Sequence, residues 1–561
     1  MAEKIWFWEN ILSEKREENE GEINRYTNIA RLKELYNINN NEKSLSKIKE
    51  SETIINSYGE SPFSTIDQND FGVPDEKKEV TKQYFSLYDD HNRIVSSSAF
   101  RRLQNKTQVY PLERYDYVRT RLTHSIEVSC IAESILRKIR DDSEITDNGF
   151  HDNFEKILEC VKNSGLIHDI GNPPFGHYGE QAIRNYFKEN WSILKYYDED
   201  ELKSLNGNSA GLDSAFLKVG KTLNELIDKN QQEYYDFSRF DGNAQAFRII
   251  NSTQPYVGKY GLNLTYATIA SIVKYPYKST DTDEQNPKFG YYVSETRIIN
   301  LLTQEKCFIS NKKNPIALIM EAADDVSNLV NDFIDAIKKG RIKLSDIFYL
   351  RDKFKDDPFI SSLDLKPKNI DFNELVSEKT EVLKLLLVDA VSAHFSKNYS
   401  SIMEGTYKGS LIKNCFSTPL SSLEQQKKRN KSNTPEEPTT NQKTTIEILN
   451  EIFKSHVYND KEIVSLELQG ERIIYFLLEN FLKAVLESNI KEDWRLYSKT
   501  RNQKVLQLLS YDYMNVYLKN IKIAKESNEI LYNKIRLVVD HICGMTDEYA
   551  KETYKTMMGI I

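Results

Sequence analysis

The sequence predicts a mostly α-helical protein, and three observations carry that reading. Apolar residues return at helical spacing from about Tyr84 onward, strand-like alternation is scarce, and the breaks between periodic stretches are long and polar. In chain order, MAEKIWFWENILSEKREENE turns acidic before an apolar leader core can develop, so no secretory signal is expected there. Residues 33–76 are Asn/Ser-rich without sustained periodicity and are expected to form a long connection, closing an N-terminal segment over 1–83. A main core is expected over 84–345, where Val128, Ile131 and Ile135 form one helical stripe and Ile319, Val326, Val330 and Ile337 another. A helical C-terminal region follows over 346–561, interrupted by EQQKKRNKSNTPEEPTTNQKTT, a mobile loop expected at 424–445. Beyond it, IIYFLLENFLKAVLESN and YNKIRLVVDHICGMTDEYAKETYKTMM again read as helices, and there is no internal repeat.

Composition removes several function classes. The 561 residues are long enough for two or more lobes, and 76 Lys+Arg against 84 Asp+Glu leave a net charge of −8. That balance gives no overall attraction to nucleic acid or to an anionic membrane, so a polyanionic ligand needs local cations or a metal. The five cysteines are widely spaced and form no CxxC pair, which argues against a thiolate zinc site and a disulfide framework. Reducing-compartment cysteine usage and the lack of any apolar run long enough for a membrane span lead to a cytoplasmic expectation.

Eight histidines raise the question of a metal site. Two His-Asp pairs exist, so the dipeptide alone decides nothing. His151-Asp152 lies in GFHDNFEKIL, where Asp or Asn is expected to cap the following helix. His168-Asp169 differs: Ile157, Leu158 and Val161 stand at +3, +4 and +7 from Phe154, and His168 at +14 continues that apolar face. His124 likewise heads the stripe of Val128, Ile131 and Ile135. Two inward imidazoles on different helices can converge, and buried polar groups need partners. A third helix, NPIALIMEAADDVSNLVNDFIDAI, carries Asp324 and Asp325 in mid-helix, where unneutralised carboxylates are costly.

Two imidazoles and two carboxylates suit Mn, Fe, Zn, Co, Ni or Mg and leave coordination positions open. Water bound there would be acidified and could attack phosphorus. After His168-Asp169, Gly171, Pro173, Pro174 and Gly176 break the helix and deliver His177 and Glu180 to the rim of the same pocket. A histidine titrating near neutrality could protonate a leaving oxygen.

The order His124, His168-Asp169, Asp324 resembles the HD-domain metal phosphohydrolases. Longer strings narrow the resemblance: SSSAFRRLQNKTQVYPLERYDYVRTRLTHSIEV, GLIHDIGNPPFGHYGEQAI, SRFDGNAQAFRII, LTYATIASIVKYP, PIALIMEAADDVSNL and VVDHICGMTDEYA. Together, collinear from about residue 84 to the C-terminus, they look like bacterial deoxyguanosinetriphosphate triphosphohydrolases and related dNTPases. The resemblance implies an HD-domain helical core over 84–345 with an added helical lobe. It also implies a reaction, hydrolysis of a deoxynucleoside triphosphate at the α-phosphorus to deoxynucleoside and inorganic triphosphate, with Mn or Mg the foremost metals.

The same resemblance selects Asp324 as the fourth ligand and leaves Asp325 as its supporting partner. His177 and Glu180 fall on an active-site histidine and its supporting acid, Arg121 and Lys274 on phosphate contacts, and Gln108 and Asn243 on positions beside the nucleotide. At Asn328 this chain departs from the tyrosine usual in the family, which bears on base preference and on exclusion of a ribose 2′-hydroxyl. Homo-oligomers, often hexamers, are implied as well, and some members take a nucleotide activator or single-stranded nucleic acid. Alternatives for the site are an HD-domain phosphohydrolase acting on another nucleotide, and a regulatory protein that senses nucleotide without turnover.

Overall fold

A computed structural model describes residues 6–12, 87–108, 119–197, 221–254, 261–283, 287–343, 372–415, 461–491, 494–495 and 500–560. The expected connection at 33–76 and the expected loop at 424–445 lie outside the described residues. What is described is overwhelmingly helical, with one two-stranded antiparallel sheet pairing Lys195 with Thr222 and Tyr196 with Lys221. None of the described helices is long and apolar enough to cross a membrane.

The elements that build the site are α1 (Leu87–Ser96), α2 (Arg121–Arg140), α3 (Phe154–Ile167), α4 (Gly176–Asn190), α5 (Gly242–Arg248), α6 (Tyr266–Ser271), α7 (Pro315–Lys338) and α8 (Phe372–Lys397). Toward the C-terminus follow α9 (Lys461–Leu486), α10 (Ser527–Cys543) and α11 (Asp547–Met558). Starts and stops follow local chemistry. Thr120 caps α2 in a reciprocal box with Thr123, and Asn314 caps α7 just ahead of Pro315, whose missing N–H costs nothing at that position.

The helical stripes are buried as expected. Val128, Ile131 and Ile135 of α2 meet Ile157, Leu158 and Val161 of α3 and Ile319, Val326, Val330 and Ile337 of α7 in one apolar cluster. Trp6, Trp8 and Ile11 from the N-terminal segment and Leu383, Leu387 and Val391 of α8 join the same cluster. A second cluster packs Ile183 and Phe187 of α4 against Ile474, Leu477 and Phe481 of α9 and Leu537, Val538 and Ile542 of α10. The hydrophobic core therefore runs through both the main core and the C-terminal region.

One local expectation fails. Neither Asp152 nor Asn153 caps α3; Asn153 donates to Gly149 O instead, and Asp147 caps the short preceding helix through Gly149 N. His151 Nε2 donates to Ile145 O, 2.9 Å away, an ordinary structural contact.

Candidate active site

α2, α3 and α7 pack against one another, and His124, His168 and Asp324 from these three elements meet at one point. His124 lies on the first turn of α2, His168 caps the C-terminus of α3, and Asp324 stands in the middle of α7. Ligand atoms of these three lie within 4.8 Å of one another. His124 Nε2 is 3.3 Å and His168 Nε2 3.5 Å from Asp324 Oδ1. Both imidazoles are buried, and both Nε2 atoms lack a hydrogen-bond partner. Buried nitrogens left unsatisfied side by side, facing a carboxylate, are what a bound cation would complete, so the donor set fits a divalent metal.

The opposite ring nitrogens are held. His168 Nδ1 lies 2.8 Å from Gly165 O, and Ser327 Oγ is 3.3 Å from His124 Nδ1, with Asn331 in turn donating to Ser327. Such partners orient ligating imidazoles with Nε2 inward. Burial opposes charge on His168, but Asp169 and Asp324 outweigh it and hold its pKa above the usual imidazole value. Burial likewise opposes charge on Asp324, yet Lys274 and His168 keep it well below the carboxylate range.

Asp169 stands at the edge of the triad. Its Oδ1 is 3.7 Å from His168 Nε2 and accepts from Asn172, while Oδ2 accepts from the buried Arg121. Arg121 is thus ion-paired within the site, with the Nε of its guanidinium still unpartnered. Lys274 is not a surface lysine: its ammonium donates to Asp324 Oδ2 at 3.1 Å and is largely buried. Asp325 accepts from Ser410, and burial pushes its carboxyl up to about 6.

The turn after His168 folds tightly. A Cβ on Gly171 would meet Gly242 O at 2.0 Å and Ala246 N at 2.1 Å, so only glycine lets α5 come this close. Phe175 then adopts φ 65°, a left-handed conformation rare for a bulky residue, and α4 begins at the next position. His177, on the first turn of α4, keeps 79% of its side chain exposed and contacts Glu180 Oε2 through Nδ1 at 3.2 Å. Glu180 is buried and also accepts from Arg184 and from Gly242 N. Its hydrogen bond holds the His177 pKa above the ordinary value. Burial alone would raise Glu180, but His177, Arg184 and the Gly242 amide bring it down to about 2.

Gln108 and Asn328 meet. Gln108 Nε2 donates to Asn328 Oδ1 at 3.0 Å, and Asn328 Nδ2 donates to Asp324 Oδ1 at 2.8 Å, while Gln108 Oε1 is buried without a partner. Asn243 is different: its side chain donates to Asp241, the residue that caps α5. Sequence reading missed Asn172, Ser327 and Asp332. The last follows Asp324 and Asn328 at the same spacing of four along α7, a signal that was available. Burial and Asp335 push its carboxyl up to about 8, and both Asp324 and His177 act on it electrostatically.

The chain is similar in sequence to known proteins. A family model described as the HD domain matches residues 121–204. A deoxyguanosinetriphosphate triphosphohydrolase-like protein of Listeria monocytogenes is 33% identical over 488 residues, covering 84% of this chain and 93% of the relative. Its counterpart in Listeria innocua matches to the same extent. A deoxyguanosinetriphosphate triphosphohydrolase of Yersinia enterocolitica is 31% identical over 544 residues, covering 88% of this chain and 97% of the relative.

Proposed function

Because this chain belongs to the deoxyguanosinetriphosphate triphosphohydrolase-like family of HD-domain hydrolases, we propose that it hydrolyses deoxynucleoside triphosphates at the α-phosphorus, releasing deoxynucleoside and inorganic triphosphate. The observation that carries this reading is the His124–His168–Asp324 triad with two unsatisfied imidazole nitrogens, flanked by Lys274, Arg121 and His177. His124, His168 and Asp324, with Asp169 at their edge, would hold a divalent cation, Mn or Mg foremost, which supplies an acidified water and neutralises phosphate charge.

The residues of the chain account for the rest. Lys274 and Arg121 are cations placed around the triad, suited to the charge that builds on a phosphoryl group in the transition state. His177, whose pKa is raised by its hydrogen bond to Glu180, gives its proton to the departing 5′-oxygen. The free acceptor Gln108 Oε1, steadied by Asn328, suits a sugar hydroxyl, which places the nucleoside end of the substrate beside α7. An asparagine in place of a tyrosine ring leaves more room at that point, so we propose weak discrimination against ribonucleotides. Replacing Asn328 with tyrosine is expected to lower kcat/KM for ribonucleoside triphosphates relative to the deoxy forms; an unchanged ratio would refute that assignment.

The central test is incubation with Mn or Mg and each dNTP, with products resolved. Inorganic triphosphate plus deoxynucleoside supports the reading, and pyrophosphate or monophosphate release replaces it with another HD-type phosphohydrolysis. A His168→Ala protein that bound nucleotide and kept its full biological effect would favour a sensing role instead.

A further inference from the structure

The segment VVDHICGMTDEYA takes no part in the metal triad, yet its residues reach the active-site turn. Asp547 opens α11 and is buried. Its Oδ1 accepts from the Phe175 amide at 3.0 Å, and its Oδ2 accepts from Thr107 Oγ1 at 2.6 Å and from Thr107 N at 3.2 Å. Next to Thr107, Lys106 is buried and donates to Asn172 O at 2.5 Å and to Cys543 O at 2.7 Å. One carboxylate and one ammonium therefore join three separate stretches: Lys106–Gln108, the turn at Asn172–Phe175, and the junction of α10 with α11.

Two of the three stretches lead to a residue that faces the site. Gln108 follows Thr107 directly, and His177 follows Phe175 by two. Phe175 holds its left-handed backbone only under external restraint, because a bulky residue is strained at φ 65°. The restraints are the Asp547 bond to its amide and the packing of its ring on Gly470 of α9, where an added Cβ would lie 2.9 Å from Cγ of the ring. Releasing the amide would let the turn relax and swing the start of α4.

From this juxtaposition we infer that Asp547 is a positioning residue for catalysis, one carboxylate that fixes the aim of both His177 and Gln108 from the C-terminal region. The kinetic part of the inference rests on the function proposed above, whereas the clamp itself does not. A small error in placing a reacting group costs up to about 100-fold in rate.

Two variants and two readouts test it. In Asp547→Ala, backbone amide exchange across residues 172–177 should rise by about tenfold or more while α7 is unchanged, since a lost restraint exposes a local opening. Its kcat should fall by about 100-fold with Mn affinity retained, because no metal ligand touches Asp547. Thr107→Val removes the shorter of the two bonds that hold the Gln108 arm, the 2.6 Å hydroxyl bond, leaves the backbone N–H bond and the His177 arm in place, and should raise KM with kcat within about twofold of the parent. Wild-type exchange in the turn of Asp547→Ala overturns the inference. So does activity lost together with Mn affinity, which would mark general damage. Should Asp547→Ala fail to fold, an unchanged KM in Thr107→Val overturns it alone. If the parent hydrolyses no dNTP, the functional reading falls while the exchange data still decide the clamp.

Discussion

His177 and Glu180 set the expected pH behaviour at the scale of single residues. The Glu180 anion holds the His177 pKa up, so the proton donor stays charged to a higher pH than a free imidazole would. Glu180→Gln removes that anion, and the alkaline limb of the kcat profile should move to lower pH; a limb that stays in place contradicts the pairing. The same carboxylate affects folding. With a folded pKa of about 2 against an ordinary 4.5, Glu180 stabilises the native state above about pH 4.5, and this contribution is lost as the pH falls toward 2. Acid unfolding of Glu180→Gln should therefore be less steep across that window. Ser327 holds the His124 ring from its Nδ1 side, so if His124 ligates a metal Ser327→Ala should weaken Mn binding by about tenfold, measured by calorimetry. His124 and His168 were legible in the sequence because each continues an apolar stripe, where an imidazole needs a reason to be. Ser327 and Asn172 were not: a short polar side chain in a helix or turn has many ordinary uses, and only the partner's position reveals which applies.

At the scale of elements, the site depends on how closely the turn after α3 meets α5. Gly171→Ala would force a methyl into Gly242 O and Ala246 N, and overpacking of this kind costs about 3 kcal/mol or more. The denaturation midpoint of that variant should drop accordingly, and an unchanged midpoint would show that α5 can retreat freely. Element type was largely readable, since 3.6-residue periodicity over long stretches reports a buried face directly. Connections across sequence were not. Phe175 and Asp547 are 372 positions apart and Lys106 and Cys543 are 437 apart, separations that no local pattern bridges. The capping expectation at Asp152 and Asn153 failed because a separate short helix precedes α3: Asp147 caps that helix, and α3 starts without a side-chain cap.

At the scale of the whole molecule, buried ion pairs and apolar contacts join residues of the main core to the C-terminal region. Arg248 of α5 pairs with Asp540 of α10 through two nitrogens and with Glu295, all buried, and Gln245 adds a further bond to Asp540. Arg248→Met would leave two carboxylates buried without their cation, which costs about 3–5 kcal/mol. Chemical denaturation should register that loss as a single shifted transition, while a separate early transition of the C-terminal helices would contradict the unified core. Net charge acts at this scale too: an overall −8 repels a polyphosphate, so attraction must come from Lys274, Arg121 and a bound cation rather than from the surface. The most direct test of the account is the product of the reaction. Purified protein with Mn and each dNTP should yield deoxynucleoside and inorganic triphosphate, with His168→Ala inactive under the same conditions. Release of pyrophosphate with a deoxynucleoside monophosphate, or undiminished turnover by His168→Ala, would contradict it.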